Sequence, residues 1–265
     1  MTRLPALFFL LFPSLALAQS SVVEDVASTS APKRWQLGAG VSVNDSPYVG
    51  EGMRIRPFPW VSYEGERLFW RGLSGGVHVY KSDGFVFDAI LAGNFDGFDI
   101  DDLSRSGLER NGLDPARLED RDDGVDAGLA ATWRGAAGEL KLQALADVTD
   151  RSGGYELGLD YGYPRRWGRT LLIPSVGVRW LSKDVVRYYY GTLDEEEARG
   201  VAPYRPDAAL VPQVRLGIVR PLGGNWRLVG ALSYRFLPSE IGDSPFLERG
   251  SNGTGSLQLG FVRSF

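Results

Sequence analysis

The single histidine is the residue best suited to acid–base or nucleophilic chemistry in this chain. His78 is the one histidine among 265 residues, and cysteine is absent. Ser74 and Ser82 each lie four residues away and Asp83 is nearby, and hydrolases combine such residues with histidine. Residues four apart in a strand are about 13 Å from each other, too far for a hydrogen bond. A hydrolase using His78 therefore needs a partner from another strand, and a structural histidine is the favoured interpretation.

A second candidate site is the acidic segment 96–123, which carries ten carboxylates and four arginines. Asp99, Asp101 and Asp102 offer the oxygen ligands that divalent cations prefer. The spacing of an EF-hand loop is missing, and the acidic bias recurs at 194–197. A solvated outer loop is the simpler interpretation. The alternative is weak attraction for cations, including those that bridge lipopolysaccharide. No cofactor and no resident metal are predicted.

Strands must position these residues, because a period of two dominates from Trp35 onward. Apolar residues alternate with polar residues or glycines in segments of about ten residues, the length that a tilted strand needs to cross a membrane. The segments are 35–44, 53–63, 67–81, 84–95, 124–134, 137–149, 153–164, 169–182, 207–220, 225–237 and 254–265. Aromatic residues at segment ends resemble interfacial girdles: Trp35, Trp60, Tyr63, Trp133, Tyr155, Tyr163, Trp180, Trp226 and Phe236.

The connections between segments alternate in length. Short turns at 134–138, 164–168 and 221–225 contrast with long polar connections at 96–123, 183–206 and 238–253, the asymmetry of periplasmic turns and external loops. Strand parity places both chain ends in the periplasm only if 67–81 splits near residues 73–75. The prediction is therefore an all-β, antiparallel, up-and-down transmembrane β-barrel of twelve strands. A soluble secreted β-sandwich shares the alternation and remains the alternative fold.

The two ends of the chain predict export and assembly. Arg3, an apolar run to Leu17 and the site Ala16-Leu17-Ala18 are typical of a signal peptide over residues 1–18. Residues 19–34 are expected to form a periplasmic arm, and residues 35–265 the barrel. A terminal strand ending at Phe265 resembles the signal read by the barrel assembly machinery. The net charge of −4 gives no electrostatic footprint for nucleic acid.

The face predicted to line the lumen carries both signs of charge, including Asp88, Glu139, Lys141 and Arg215. These side chains either line a narrow aqueous pore or pair across the lumen and close it. Eight strands leave a lumen filled by side chains, whereas sixteen to eighteen leave a channel. Twelve strands lie between these cases, so both interpretations stay open.

Short motifs in a fixed order are similar to those of the MipA/OmpV family, the MltA-interacting protein group of outer-membrane proteins. The resemblance covers residues 35–265, and it includes the run Arg56–Pro59. The other motif positions are Ser46, Pro47, Tyr48, Val49, Gly50, Tyr188, Tyr189, Tyr190, Gly191, Asp243, Ser244 and Pro245. Arg263 departs from the family pattern, in which an aromatic residue stands two places before the terminal phenylalanine.

The resemblance implies a non-enzymatic protein of the Gram-negative outer membrane that serves as a scaffold or adaptor for peptidoglycan-remodelling enzymes. The implied partners are a murein lytic transglycosylase and a murein synthase, with outer-membrane lipid and lipopolysaccharide around the barrel. A small-solute, porin-like channel is the second hypothesis. A hydrolase built on His78 is the third.

Overall fold

The computed structural model describes residues 34–265. The expected signal peptide, and the expected arm except for Arg34, lie outside the described residues. The described strands are β1 Trp35–Asp45, β2 Met53–Glu64, β3 Leu68–Arg71, β4 Ser74–Lys81, β5 Phe85–Asn94, β6 Gly124–Gly135, β7 Gly138–Asp147, β8 Tyr155–Gly162, β9 Arg165–Trp167, β10 Thr170–Leu181, β11 Ala209–Gly223, β12 Trp226–Phe236 and β13 Gly253–Ser264. The described helices are α1 Arg105–Arg110, α2 Lys183–Tyr190, α3 Asp194–Ala198 and α4 Ser239–Gly242, with 3-10 turns at Ile100–Asp102 and Pro115–Arg117.

These strands close into a single antiparallel barrel. Neighbours in sequence pair around the sheet, β13 returns to pair with β1, and β10 joins β8 to β11. β8 and β9 both pair with β10 and are separated by only Tyr163 and Pro164, so together they fill one position in the wall. The predicted twelve-strand barrel is confirmed, and a two-sheet sandwich is excluded. The predicted split of 67–81 is also confirmed, because β3 and β4 form a hairpin around Gly72 and Leu73.

Residue type follows the two faces of the wall. Along β1, Gln36 and Ser42 are buried in the lumen, whereas Trp35 and Leu37 are exposed on the outside. This polar interior and apolar exterior are what a membrane barrel requires. Buried ionisable side chains include Arg71, His78, Asp88, Asp126, Glu139, Lys141, Asp160, Arg215 and Arg227.

One aromatic residue departs from the girdle prediction. Trp60 is 5% exposed and faces the lumen, because it lies on the inward face of β2 rather than the lipid face. A Cβ added at Gly260 would lie 2.9 Å from Trp60 Cε3, so the absence of a side chain there makes room for the indole ring. The ring belongs to an apolar group inside the barrel, which we call the lumen cluster: Trp60, Val219, Val229, Ala231 and Val262, with Phe58 and Leu171 packed against it.

The barrel has a turn end and a loop end. Short connections such as Gly224–Asn225 join strands at the turn end, where both residues adopt positive φ, 59° and 69°. The long connections lie together at the other end, which is the external face in outer-membrane barrels. No helix within residues 34–265 has the length and hydropathy to span a bilayer.

Candidate functional site: a lid over the loop end

The connections at the loop end pack together as a folded lid, which we define as residues 46–52, 95–123, 182–208 and 237–252. Its interior is apolar, although the charges of the long connections predict solvated loops. The buried core comprises Tyr48, Val49, Phe98, Leu103, Leu108, Leu113, Val185, Val186, Tyr189, Tyr190, Val201, Ile241, Phe246 and Leu247. A core of this kind excludes water and fixes the loops relative to the barrel.

The tyrosines of the family-like motifs meet at the centre of the lid. Tyr48 Oη donates a hydrogen bond to Tyr189 O at 3.4 Å, and its ring stacks on Tyr190 with 6.1 Å between ring centroids. Ser244 Oγ donates to Tyr190 O at 2.7 Å. Motif residues from three separate connections therefore contact one another directly, which their positions in the sequence did not reveal.

Backbone pairing fastens the first connection to the last. Val49 N donates to Phe246 O at 3.0 Å and Glu248 N donates to Pro47 O at 2.9 Å. Gly50 N donates to Glu248 Oε1 at 3.0 Å. Gly50 has φ +80°, a conformation that glycine adopts at low cost.

Other motif positions serve as local supports. Ser46 Oγ donates to the Glu51 carboxylate. Gly191 follows the last residue of α2, and its N–H bonds to Arg187 O. Pro245 O accepts from the Asn111 side chain at 3.0 Å. Asp243 follows α4, and its N–H bonds to Ser239 O.

Burial changes the chemistry of the lid tyrosines. It raises the pKa of Tyr48 well above the usual range, with neighbouring Tyr190 adding to the effect. Burial likewise raises the pKa of Tyr189 and Tyr190, with Asp96 as the next contribution. These hydroxyls therefore stay protonated at any physiological pH, and they act as hydrogen-bond donors and packing surfaces rather than as bases or nucleophiles.

A buried ion pair stands beside the tyrosines. The side chains of Arg121 and Glu196 are both fully buried, and two parallel bonds of 2.9 Å and 3.0 Å join them. Arg121 also donates to the carbonyl oxygens of Tyr188, Glu119 and Gly191 at 2.6 Å, 2.6 Å and 3.2 Å. The guanidinium thus links the segment after β5 to the helical segment after β10. Such a pair is tolerated in an apolar interior because its charges and donors are matched.

Local signals explain why the second long connection folds as it does. Ser182 caps α2, since its Oγ accepts from Val185 N at 3.5 Å. Glu196 Oε2 accepts from Leu193 N at 2.8 Å at the start of α3, which resembles the glutamate half of a capping box. The acidic run 194–197 is therefore partly structural, because Glu196 faces inward while the residues beside it are more exposed.

The acidic segment 96–123 also has a structural part. Asp120 Oδ1 accepts from Ile100 N at 2.7 Å, and Phe98 and Arg121 form an isolated bridge. Burial, and then the like charges of Asp120 and Asp102, raise the pKa of Asp99. Within residues 34–265, no group of three or more His, Cys, Asp or Glu side chains is arranged to hold a metal ion.

His78 lies in a different environment, a buried polar network near the turn end. Its Nδ1 is 2.6 Å from Asp88 Oδ1 and its Nε2 is 3.0 Å from Glu64 Oε1. Lys81 Nζ donates to the same Glu64 oxygen at 2.7 Å, and Arg71 Nη2 donates to Glu64 Oε2 at 2.8 Å. The carboxylates that contact His78 therefore do come from other strands, Glu64 from β2 and Asp88 from β5, whereas Lys81 lies on β4 with His78. The ring contacts no serine in this network. This arrangement fits a structural ion network.

Comparison with known proteins agrees with the geometry. The sequence profile of the MltA-interacting protein MipA family matches residues 37–265. The chain belongs to this family. It is 32% identical to the putative outer membrane protein YiaT of Escherichia coli K12 over 222 residues, which cover 82% of the chain and 86% of that protein. It is 28% identical to the MltA-interacting protein of the same organism over 238 residues, which cover 89% and 92%.

The relatives locate this MipA-family barrel in the outer membrane. Outer membrane protein OmpV of Vibrio cholerae is 25% identical over 131 residues, 49% of the chain and 51% of that protein. Among solved structures, an outer membrane channel from Pseudomonas putida F1 has a TM-score of 0.44 at 13% identity, with coverage of 89% and 97%. The names of the relatives and the barrel fold indicate a protein of the outer membrane.

The C-terminal strand closes the MipA-family barrel against the first strand. Phe265 N donates to Trp35 O at 2.9 Å, and its side chain is 51% exposed. Arg263, which departs from the family pattern, lies over the rings of Trp226 and Phe265 at 5.8 Å and 5.0 Å. A cation–π contact thus occupies the place where the family resemblance predicts an aromatic ring.

Proposed function

We propose that this protein is a non-enzymatic outer-membrane scaffold that binds a murein lytic transglycosylase on its periplasmic side. The family is named after an interaction with MltA, and a relative that covers 89% of the chain carries the same name. A murein synthase is the second proposed partner. Such enzymes act in the periplasm, so the turn end is the part of the barrel that can reach them.

The turn end offers a surface of the required kind. The hairpin of β9 and β10 carries Arg165, Arg166 and Arg169, and Trp167 at its tip is 78% exposed. Arg220, also exposed, follows Val219, which pairs with Leu171 on β10. None of these arginines forms an ion pair with another described residue. Exposed arginine and tryptophan together are typical of binding hot spots, and a basic patch favours an acidic partner surface.

Two apolar regions inside the protein weigh against a pore as the main function. The lid has a buried apolar core, and the lumen cluster fills part of the interior. A channel requires a continuous aqueous path past both of these apolar regions.

For assembly, we propose that the barrel assembly machinery recognises the last strand with Phe265, and that outer-membrane lipid and lipopolysaccharide surround the apolar exterior.

Binding to the barrel in nanodiscs tests the proposal. A soluble form of the host's MltA-type transglycosylase is expected to bind wild-type protein, and Arg166→Ser/Arg169→Ser should weaken this binding at least tenfold because two rim charges are lost. Arg105→Ser/Arg110→Ser removes the same charge from exposed residues of the lid and should leave the affinity within twofold of wild type. No measurable binding of the wild type, or equal losses in both variants, would contradict the proposal.

A further inference from the structure

The barrel wall is incomplete beside β2. This strand pairs with β1 along its whole length, from Met53 to Tyr63. On its other side it pairs with β3 only through Ser62, Tyr63 and Glu64, and Gly72 N adds one bond to Val61 O. Residues 53–60 therefore have no strand neighbour on that side among residues 34–265.

The direction of the backbone groups identifies which residues form the open edge. On the side of β3, Val61 O accepts from Gly72 N and Gly65 N donates to Leu68 O. On the side of β1, Glu64 N donates to Arg34 O. Because neighbouring residues in a strand point to opposite sides, the edge groups belong to positions 53, 55, 57 and 59.

Two of these four edge residues are Pro57 and Pro59, which have no N–H group. Prolines at edge positions prevent another strand from adding to the sheet. The edge thus keeps four carbonyl oxygens but only two N–H groups, those of Met53 and Ile55. An unpaired carbonyl in hydrocarbon is costly, and irregular backbone at membrane depth is tolerated where it lines a polar cavity. These features favour a built-in opening rather than a docking edge for a partner strand.

The opening leads to an apolar part of an otherwise polar lumen. Met53 and Ile55 on the outer face are 69% and 66% exposed, so lipid reaches the rim. On the inner face of the same strand, Phe58 packs against Trp60 in the lumen cluster, with ring centroids 6.0 Å apart. A chain that enters between β2 and the β3–β4 hairpin therefore passes from lipid to aromatic side chains.

The outer boundary of the opening is rich in acceptors. The segment after β5 crosses to the first connection of the lid, where Ser104 N donates to Val49 O at 2.9 Å. Arg54 forms an ion pair with Glu51, and Asp99 and Asp102 lie within electrostatic range of Arg54. Asp123 lies within electrostatic range of Arg56. Four carboxylates against two guanidiniums leave a net charge of −2 beside the carbonyl edge.

We propose that this opening is a lateral binding site for an alkyl-chain amphiphile that enters at the depth of the outer leaflet, with a headgroup that donates hydrogen bonds and carries no negative charge. The alkyl chain lies against Phe58 and the lumen cluster. The headgroup donates to the edge carbonyls of β2. The site needs neither the periplasmic partner nor the turn-end arginines.

Photo-crosslinking of the full-length protein in maltoside detergent tests the site. The probe is a long-chain amine with a diazirine at its chain end, compared with a fatty acid of the same chain and label. The amine is expected to give adducts on inward residues such as Phe58, at least fivefold more than the fatty acid, and excess unlabelled amine should abolish them. Adducts confined to the outward face, or inward adducts equal for both probes, would overturn the proposal.

Matched variants on β2 distinguish binding of the probe inside the opening from its general contact with the lipid-facing surface. Phe58→Gln places a polar group at the inner mouth and should lower inward labelling at least threefold. Ile55→Gln makes the same exchange on the outer face and should leave inward labelling unchanged. Pro57→Val/Pro59→Val restores two donors to the edge and should reduce the preference for amine over acid. Heat-modifiable gel mobility confirms folding of each variant, and equal labelling in folded Phe58→Gln protein would contradict the site.

Discussion

At the scale of single residues, buried charges are placed where partners match them. Arg121 and Glu196 neutralise each other inside the lid, and His78 sits between two carboxylates inside the barrel. Neither set was predictable from sequence spacing, because Tyr188 and Glu196, which bind Arg121, lie 67 and 75 residues away. The two carboxylates beside His78 lie on other strands. Strand spacing did predict that Ser74 and Ser82, four residues from His78, are too far away for a hydrogen bond.

The buried pair in the lid should be sensitive to loss of one partner. Glu196→Met leaves the Arg121 guanidinium buried without its carboxylate and should destabilise the lid by about 3–5 kcal/mol. Hydrogen exchange of the α2 and α3 amides measures this local opening. Arg205→Met breaks a pair at the lid surface, between Arg205 and Glu197, and should leave exchange of the same amides close to that of wild type. Equal effects of the two substitutions would contradict a structural role for the pair.

His78 should matter for stability and not for hydrolysis. His78→Ala leaves Asp88 and Glu64 facing each other without the ring, and should cost about 1–3 kcal/mol in urea unfolding of the lipid-reconstituted barrel. Val79→Ala changes the adjacent residue, which is 60% exposed, and serves as control. An envelope lipase or peptidase activity that His78→Ala removes while the barrel stays folded would revive the hydrolase hypothesis.

At the scale of elements, alternation located the strands well because lipid and lumen impose opposite polarity on adjacent residues. Even the weak split at 73–75 followed from parity. Trp60 was misplaced because an aromatic ring near a strand end suits either a lipid interface or a lumen that has room for it. That room comes from Gly260 on β13, a contact between strands that are not adjacent in the chain.

The contact between Trp60 and Gly260 can be tested by comparing two glycines of β13. Gly260→Ala puts a Cβ 2.9 Å from Trp60 Cε3 and 3.1 Å from Val229 Cγ2, so it should destabilise the barrel by about 1–3 kcal/mol. Gly255→Ala on the same strand meets no atom closer than 4.0 Å and should be neutral. The midpoint of urea unfolding measures both. A neutral Gly260→Ala would show that the ring moves freely, contrary to the packing described.

At the scale of the whole molecule, the fold followed from sequence periodicity, but the lid did not. The long connections were interpreted as solvated because their charges dominate the composition. Their apolar residues are scattered singly, as with Leu103, Leu108 and Phe246, and they meet only when four separate connections come together. The motif positions 46–50 and 243–245 both contact the motif at 189–191 within the lid, but their spacing in the chain did not predict these contacts.

The buried core of the lid predicts a barrel that does not conduct steadily. Wild-type protein in planar bilayers is expected to show no stable current steps, because the lid core and the lumen cluster interrupt an aqueous path. A general porin prepared in the same way provides the positive control. Reproducible steps of fixed size from the wild type would favour the channel hypothesis over the scaffold.

The most direct test of the scaffold is site-specific crosslinking in living cells. A photoreactive amino acid at position 167, the exposed tip of the turn-end hairpin, should crosslink the host's MltA-type lytic transglycosylase. The same amino acid at Arg249 on the loop end should not. The predicted result is a transglycosylase adduct at position 167 alone. The absence of that adduct, or its appearance at position 249 instead, would contradict a periplasmic scaffold built on this barrel.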